Sequence, residues 1–169
     1  GIQQYLESKG VQKRHVTQLS MDLSPAFIAG AAESFPLAEI TFDRFHVVKL
    51  LNEAMDKVRK EERKEHEALK GQRYTFLKKR QNLTAKQEAS LMEMITLYPT
   101  LGEAYRLKVL FNDLWTMPNK SAASAFLEPW CTDVETAKIP AFMAFAKTVR
   151  SHWTGMVNFV ETRITNGVL

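Results

Sequence analysis

Cysteine is almost absent from this sequence: Cys131 stands alone among 169 residues, which excludes an intramolecular disulfide framework and any multi-cysteine zinc site. Glycine and proline are scarce too, at seven and six, too few for a loop-rich or many-turned all-β fold. No apolar run approaches the ~18 residues of a membrane span, and the first residues lack the apolar stretch of a secretory leader. Neither charge sign dominates. Lys+Arg 23 against Asp+Glu 19 leaves a net charge of +4 and a pI of about 9.2, which permits nucleic acid as a partner without demanding it. Hydrophobic residues at 45% and charged residues at 25% fit an ordinary globular chain, one domain or one domain and a fragment of another. The expected location is the cytoplasm. The sequence opens on Gly1 and closes on Thr165-Asn166-Gly167-Val168-Leu169, a helix-stop signal followed by two apolar residues. Both ends lead us to expect a functional unit larger than these residues.

Hydrophobic periodicity divides the chain in two. His15 to Met21 is a short β-prone run that stops at Asp22. Ser24 then reads as an N-cap with Pro25 at the first helical position, opening a helix that ends near Phe35-Pro36. Ala38, Ile40 and Phe42 alternate with polar residues in a second strand, which also ends in an aspartate, Asp43. Strand, helix and strand with tight connections predict one right-handed βαβ crossover. From Phe45 the period becomes 3.6. Val47, Leu50, Leu51, Ala54, Met55 and Val58 form the apolar stripe of a long helix. Its charged continuation from Asp56 to Lys70, with i,i+4 pairs such as Asp56–Lys60, reads as a solvated helix, and Gly71 allows a break. Thr84-x-x-Gln87 is a capping box for the next helix, with Pro99 at its end. Leu101 to Trp115 is apolar nearly all round and belongs at the centre. Asn119 or Ser121 starts a further helix that Pro129 is expected to kink. The last is predicted to run from Pro140 to Ile164, with Asn166-Gly167 as its C-cap. The expected class is mostly α: a short βαβ piece, then a helical bundle. Two strands cannot form a stable sheet alone, so they must borrow strands or pack on the bundle.

Candidate chemistry lies at the strand ends. Asp22 and Asp43 would stand at the C-terminal edge of a parallel sheet, where open α/β folds bind ligands. With strands about 4.8 Å apart, both could approach one divalent cation. On residue types alone helix capping is the readier explanation of both acids, since each precedes a helix start. His46 follows Asp43 by three residues; a lone histidine so placed is commonly structural, and His15, His66 and His152 show no ligand spacing. A second candidate is basic. Ala68 to Gln87 contains no acid but holds Lys70, Arg73, Lys78, Lys79, Arg80 and Lys86, with Tyr74 and Phe76 interleaved. Such a segment suits DNA phosphates with an aromatic stacked on a base, or is a basic loop whose aromatics anchor in the core. Phe111, Trp115, Trp130, Phe142, Phe145 and Trp153 read as bundle core, and no phosphate-cradling loop, nucleophile elbow or dinucleotide fingerprint is present.

Met21-Asp22-Leu23-Ser24-Pro25-Ala26-Phe27, then Phe35-Pro36-Leu37-Ala38-Glu39-Ile40, then Asp43-Arg44-Phe45-His46-Val47-Val48-Lys49 resemble the core of bacterial insertion-sequence transposases of the ISL-three group. Leu50-Leu51-Asn52-Glu53-Ala54, Leu69 to Tyr74, Leu83-Thr84, Trp130 and Thr165-Asn166-Gly167 follow in the same order, so the likeness spans nearly the whole chain. The resemblance implies an RNase H-like catalytic core whose Asp-Asp-Glu trio binds two divalent metals, Mg²⁺ or Mn²⁺, for cutting and joining DNA. It makes Asp22 the second acid and a metal ligand, and matches Asp43 and His46 to a C/D-x-x-H signature beside the site. It also implies a partial core over 1–46, a helical insertion over 47–164 and the start of a return to the core over 165–169. The first Asp would precede Gly1 and the Glu would follow Leu169. One acid of three cannot hold two metals, so this segment alone is expected to be inactive and to bind no metal tightly. The expected partners are DNA at transposon ends and further copies of the chain, with no membrane. The alternative is a non-catalytic helical module that binds DNA or protein.

Overall fold

The computed structural model describes residues 4–5, 8–10, 18–21, 34 and 39–165, with the side chains of 4–5, 8–10, 34 and 42–160. Two four-residue strands come first, β1 (Gln18–Met21) and β2 (Glu39–Phe42). They pair in parallel, Gln18 opposite Glu39 and Met21 opposite Phe42. The helix expected between them lies, Ser34 apart, outside the described residues.

The rest is helical. α1 (Arg44–Arg63), α2 (Arg73–Leu77), α3 (Ala85–Leu97), α4 (Pro99–Phe111), α5 (Lys120–Ala137), α6 (Pro140–Ser151) and α7 (Trp153–Thr165) are joined by short connections that include three 3-10 turns. The starts are set by local chemistry. Asp43 accepts from the Phe45 amide at 2.7 Å, Asn119 from the Ala122 amide at 2.8 Å, and Thr84 and Gln87 close a reciprocal capping box, each satisfying amides left over at a helix start. Pro99 and Pro140 occupy first-turn positions, where no amide is needed. α5 ends on Lys138 in the left-handed region, φ 55°.

Three expectations need correction. The charged tail of α1 is not solvated to Lys70: the helix stops at Arg63, and the chain returns over it, burying Asp56 and Arg59. The helix expected from Leu101 to Trp115 starts at Pro99, and its α-helical part stops at Phe111. A 3-10 turn over Asn112–Thr116 follows, tied by the Trp115 indole N–H donating to Asn112 Oδ1 at 3.1 Å. α5, by contrast, keeps the expected start at Asn119 and continues through Pro129 as one helix; Ala125, whose carbonyl loses its donor there, is exposed, so water can replace the missing bond. Finally, the single helix expected from Pro140 to Ile164 breaks at His152 (φ −124°, ψ 34°) into α6 and α7. The Asn166-Gly167 cap lies outside the described residues.

The core is aliphatic and aromatic. Leu51, Met55, Leu107, Phe111, Trp130 and Phe142 are fully buried. Phe111 meets Trp130 edge-on at 4.8 Å and Phe145 at 5.2 Å, and the buried Trp130 N–H donates to the Leu107 carbonyl at 3.0 Å, the partner that a buried indole requires. The strand pair is fastened to this bundle through β2. Phe42 is buried; the His152 ring lies edge-on to it at 5.4 Å, and α7 covers it at Gly155. A Cβ at Gly155 would stand 2.3 Å from the Phe42 ring. The break at His152 is what frees α7 to lie along β2. Among the described residues no helix is long and apolar enough to cross a membrane.

Candidate functional site

β1 and β2 end in register, at Met21 and Phe42, and the next residues along the chain are Asp22 and Asp43. Asp22 lies outside the described residues. Asp43 is exposed, and its carboxylate is engaged as the cap of α1. His46 is half-buried in the first turn of the same helix, its ring edge-on to that of Phe45 at 5.6 Å. Among the described residues no group of three or more His, Cys, Asp or Glu converges to hold a metal ion. The described residues therefore do not by themselves fit a two-metal centre, which needs several oxygen ligands for each ion.

The basic segment divides into engaged and free cations. Lys70 lies 3.6 Å from Glu67. Arg73 lies 3.7 Å from Asp56 and stacks on the Tyr74 ring at 5.7 Å. Arg80 donates to Glu88, its Nε at 3.0 Å from Oε1. Lys78 and Lys79 are exposed and make no ion pair among the described residues. The interleaved aromatics separate as well: Phe76 is fully buried, Tyr74 is 61% exposed. Phe76 is the core anchor of one reading, and Tyr74 the available ring of the other.

A buried ion pair and a buried lysine escaped sequence reasoning. Asp56 pairs with Arg59 at 2.8 Å, and Lys60 stands 3.4 Å away. Burial pushes its carboxyl upward, but hydrogen bonding and charge from Arg59 and Lys60 outweigh that and hold it below the usual carboxylate range. Lys108 is buried in α4, its ammonium donating to the carbonyls of Phe76 at 2.8 Å and Leu77 at 3.2 Å. It thereby caps α2, and burial lowers its pKa to about 8. The available signal was position: both residues lie beside apolar stripes on their helices. Cys131 is buried and its thiol is pushed up to about 11 by burial, the reverse of what a nucleophilic cysteine needs.

A family profile described as transposase, of the ISL-three (ISL3) group of DDE enzymes, matches residues 1–169. The chain belongs to that family. This member is 26% identical over 167 residues to the transposase for insertion sequence element IS1001 of Bordetella parapertussis, covering 92% of this chain and 41% of that protein. It is 22% identical over 194 residues to the transposase for insertion sequence element IS1557 of Mycobacterium tuberculosis, covering 98% of this chain and 44% of the relative. The ISL-three chain thus spans less than half the length of these curated relatives. No solved structure matches it.

Proposed function

We propose that this chain is a segment of a bacterial DNA transposase, carrying one acid of an RNase H-like catalytic centre and the helical insertion that follows it. The observation that carries this reading is the parallel pair of strands ending in register immediately before Asp22 and Asp43, the sheet edge at which open α/β folds place their ligands. Membership of the transposase family supports it. On this reading residues 1–46 belong to the core, 47–164 to the insertion and 165–169 to the return. Asp22 is the second acid and a ligand to Mg²⁺ or Mn²⁺, while Asp43 and His46 hold the start of α1 beside it. When bound, the metals would activate the attacking oxygen and stabilise the leaving one at a DNA phosphate. The companion acids would be carried by the portion of the relatives' length that this chain does not span. The chain alone is then inactive, works in the bacterial cytoplasm as part of the larger protein, and contacts transposon ends. A non-catalytic helical module is favoured at one point only, the engagement of Asp43 as a cap.

The test is genetic. Asp22→Asn, in a transposase that contains this segment, should lower transposition at least a thousandfold, the scale lost when a member of a cooperating catalytic set is removed; transposition at the parental rate would overturn the assignment. The 169 residues alone, with Mg²⁺ or Mn²⁺, should leave terminal-repeat DNA uncut, and nicking would overturn their inactivity.

A further inference from the structure

Away from the strand ends, a groove between α1 and α2 gathers chemistry that the catalytic reading leaves unused. It holds about 440 Å³, and four cations line it against two acids, Glu53 and Asp56. Asp56 is already over-neutralised. Arg59, Lys60 and Arg73 stand 2.8, 3.4 and 3.7 Å from its single carboxylate. Buried itself, that carboxylate anchors Lys60 and Arg73, whose side chains remain 60% and 55% exposed, so two positioned cations face solvent with positive charge in excess. Lys49 and Lys57 line the same groove two turns apart on α1, and neither makes an ion pair among the described residues. Phe45 stands at one end, 71% exposed, a large apolar ring facing water. At the other end the exposed Tyr74 ring backs Arg73.

Phosphates alone would use the lysines and leave the ring idle, because duplex bases stay stacked on each other. An unpaired strand uses both: cations for its backbone and an aromatic face for a base. From Phe45 to Lys60 the helix rises about 22 Å, the length of about six stacked nucleotides. We propose that the α1–α2 groove binds an unpaired DNA strand, its phosphates along Lys49, Lys57, Lys60 and Arg73 and one base stacked on Phe45. This rests on the transposase reading for the identity of the polymer, and separates strand binding from the metal chemistry at Asp22.

The probe is a labelled fifteen-nucleotide oligothymidylate, compared with a labelled duplex, both titrated with the full chain at several salt concentrations. Lys49→Glu with Lys57→Glu should weaken oligothymidylate binding at least tenfold and lower the salt slope by about 1.4, two phosphate contacts at ~0.7 each. Phe45→Ala, a surface change that leaves the core intact, should cost about tenfold on the single strand and less than twofold on the duplex. The charge-matched control Lys138→Glu with Lys147→Glu should change single-strand affinity less than twofold. Groove variants that bind like the parent overturn the proposal, as does a parent chain that binds neither DNA or prefers the duplex. If only Lys78→Glu with Lys79→Glu loses binding, the contact lies on the basic loop and the groove is wrong, while the DNA reading stands. If the groove variants behave as expected but Asp22→Asn transposes normally, the groove stands and the catalytic assignment fails.

Discussion

Asp56 and Lys108 are charged residues held inside a helical bundle, and each shows how a partner decides what burial costs. Removing one member of a buried ion pair leaves the other charge without compensation. Asp56→Asn, which strands Arg59, should therefore destabilise the chain by about 3 kcal/mol in urea unfolding. The pH dependence follows from the direction of the shift. With its folded pKa lowered, Asp56 contributes stability that is complete above the ordinary carboxylate range and is lost as pH falls through the folded value. The acid limb of the melting profile should be shallower in Asp56→Asn than in the parent; parallel limbs would show that the pair is not coupled to protonation. Lys108 runs the other way. Its pKa falls from 10.5 unfolded to about 8 folded, so between those values the unfolded chain holds more protons and stability rises with pH. Thermal melts of the parent and of Lys108→Met at pH 7.5 and 10 should show the parent gaining on the variant. An unchanged difference would place the titration elsewhere. Neither residue could be recognised as buried from composition, because Lys and Asp are mostly exposed unless paired; Arg59 and Lys60 are near Asp56 in sequence, but Arg73 and the Phe76 and Leu77 carbonyls that receive Lys108 come from other segments.

At the scale of elements, helix starts were legible and helix breaks were not. Asp43, Thr84 and Asn119 cap their helices within three residues, so a local reading finds them. The break at His152 leaves no such mark. Val149, Trp153, Met156 and Val157 keep a helical spacing straight across it, while the contacts that α7 makes after the turn, with Phe42 of β2 and with Ser124 of α5, come from distant segments. Phe111, Leu114 and Trp115 hide the change to a 3-10 turn in the same way, since a tighter turn still presents one face. The α7–β2 contact is tested at Gly155. Gly155→Ala brings a methyl group against the Phe42 ring and should cost about 2 kcal/mol. Adding Phe42→Leu, which withdraws the ring edge, should recover about 1 kcal/mol relative to additivity. A double variant that merely sums the two losses would mean that the ring and the helix do not compete for this space.

At the scale of the whole molecule, the sheet among the described residues is a single strand pair. Among the described residues β1 and β2 pair only with each other, and β2 is fastened to the bundle through Phe42, so one face is covered while no described strand pairs with the outer edges. Such edges template further pairing, and two strands are marginal alone. Sedimentation velocity should show concentration-dependent association of the chain, and a strictly monomeric species across the micromolar range would show that the edges are closed within one copy.

The amino-acid order alone determined what depends on near neighbours: the change from period 2 to period 3.6 at Phe45, the capped helix starts, the aromatic core, and the family, which motif order carries without coordinates. Tertiary structure decided what depends on distant segments: which charges of the predicted solvated helix are buried, which cations of the basic segment are already paired, where the final helix breaks, and that α1 and α2 leave a cationic groove between them. The reason is physical. Caps, periodicity and i,i+4 pairs are properties of a few consecutive residues, whereas desolvation and the pairing of distant charges are set by whatever the fold brings alongside.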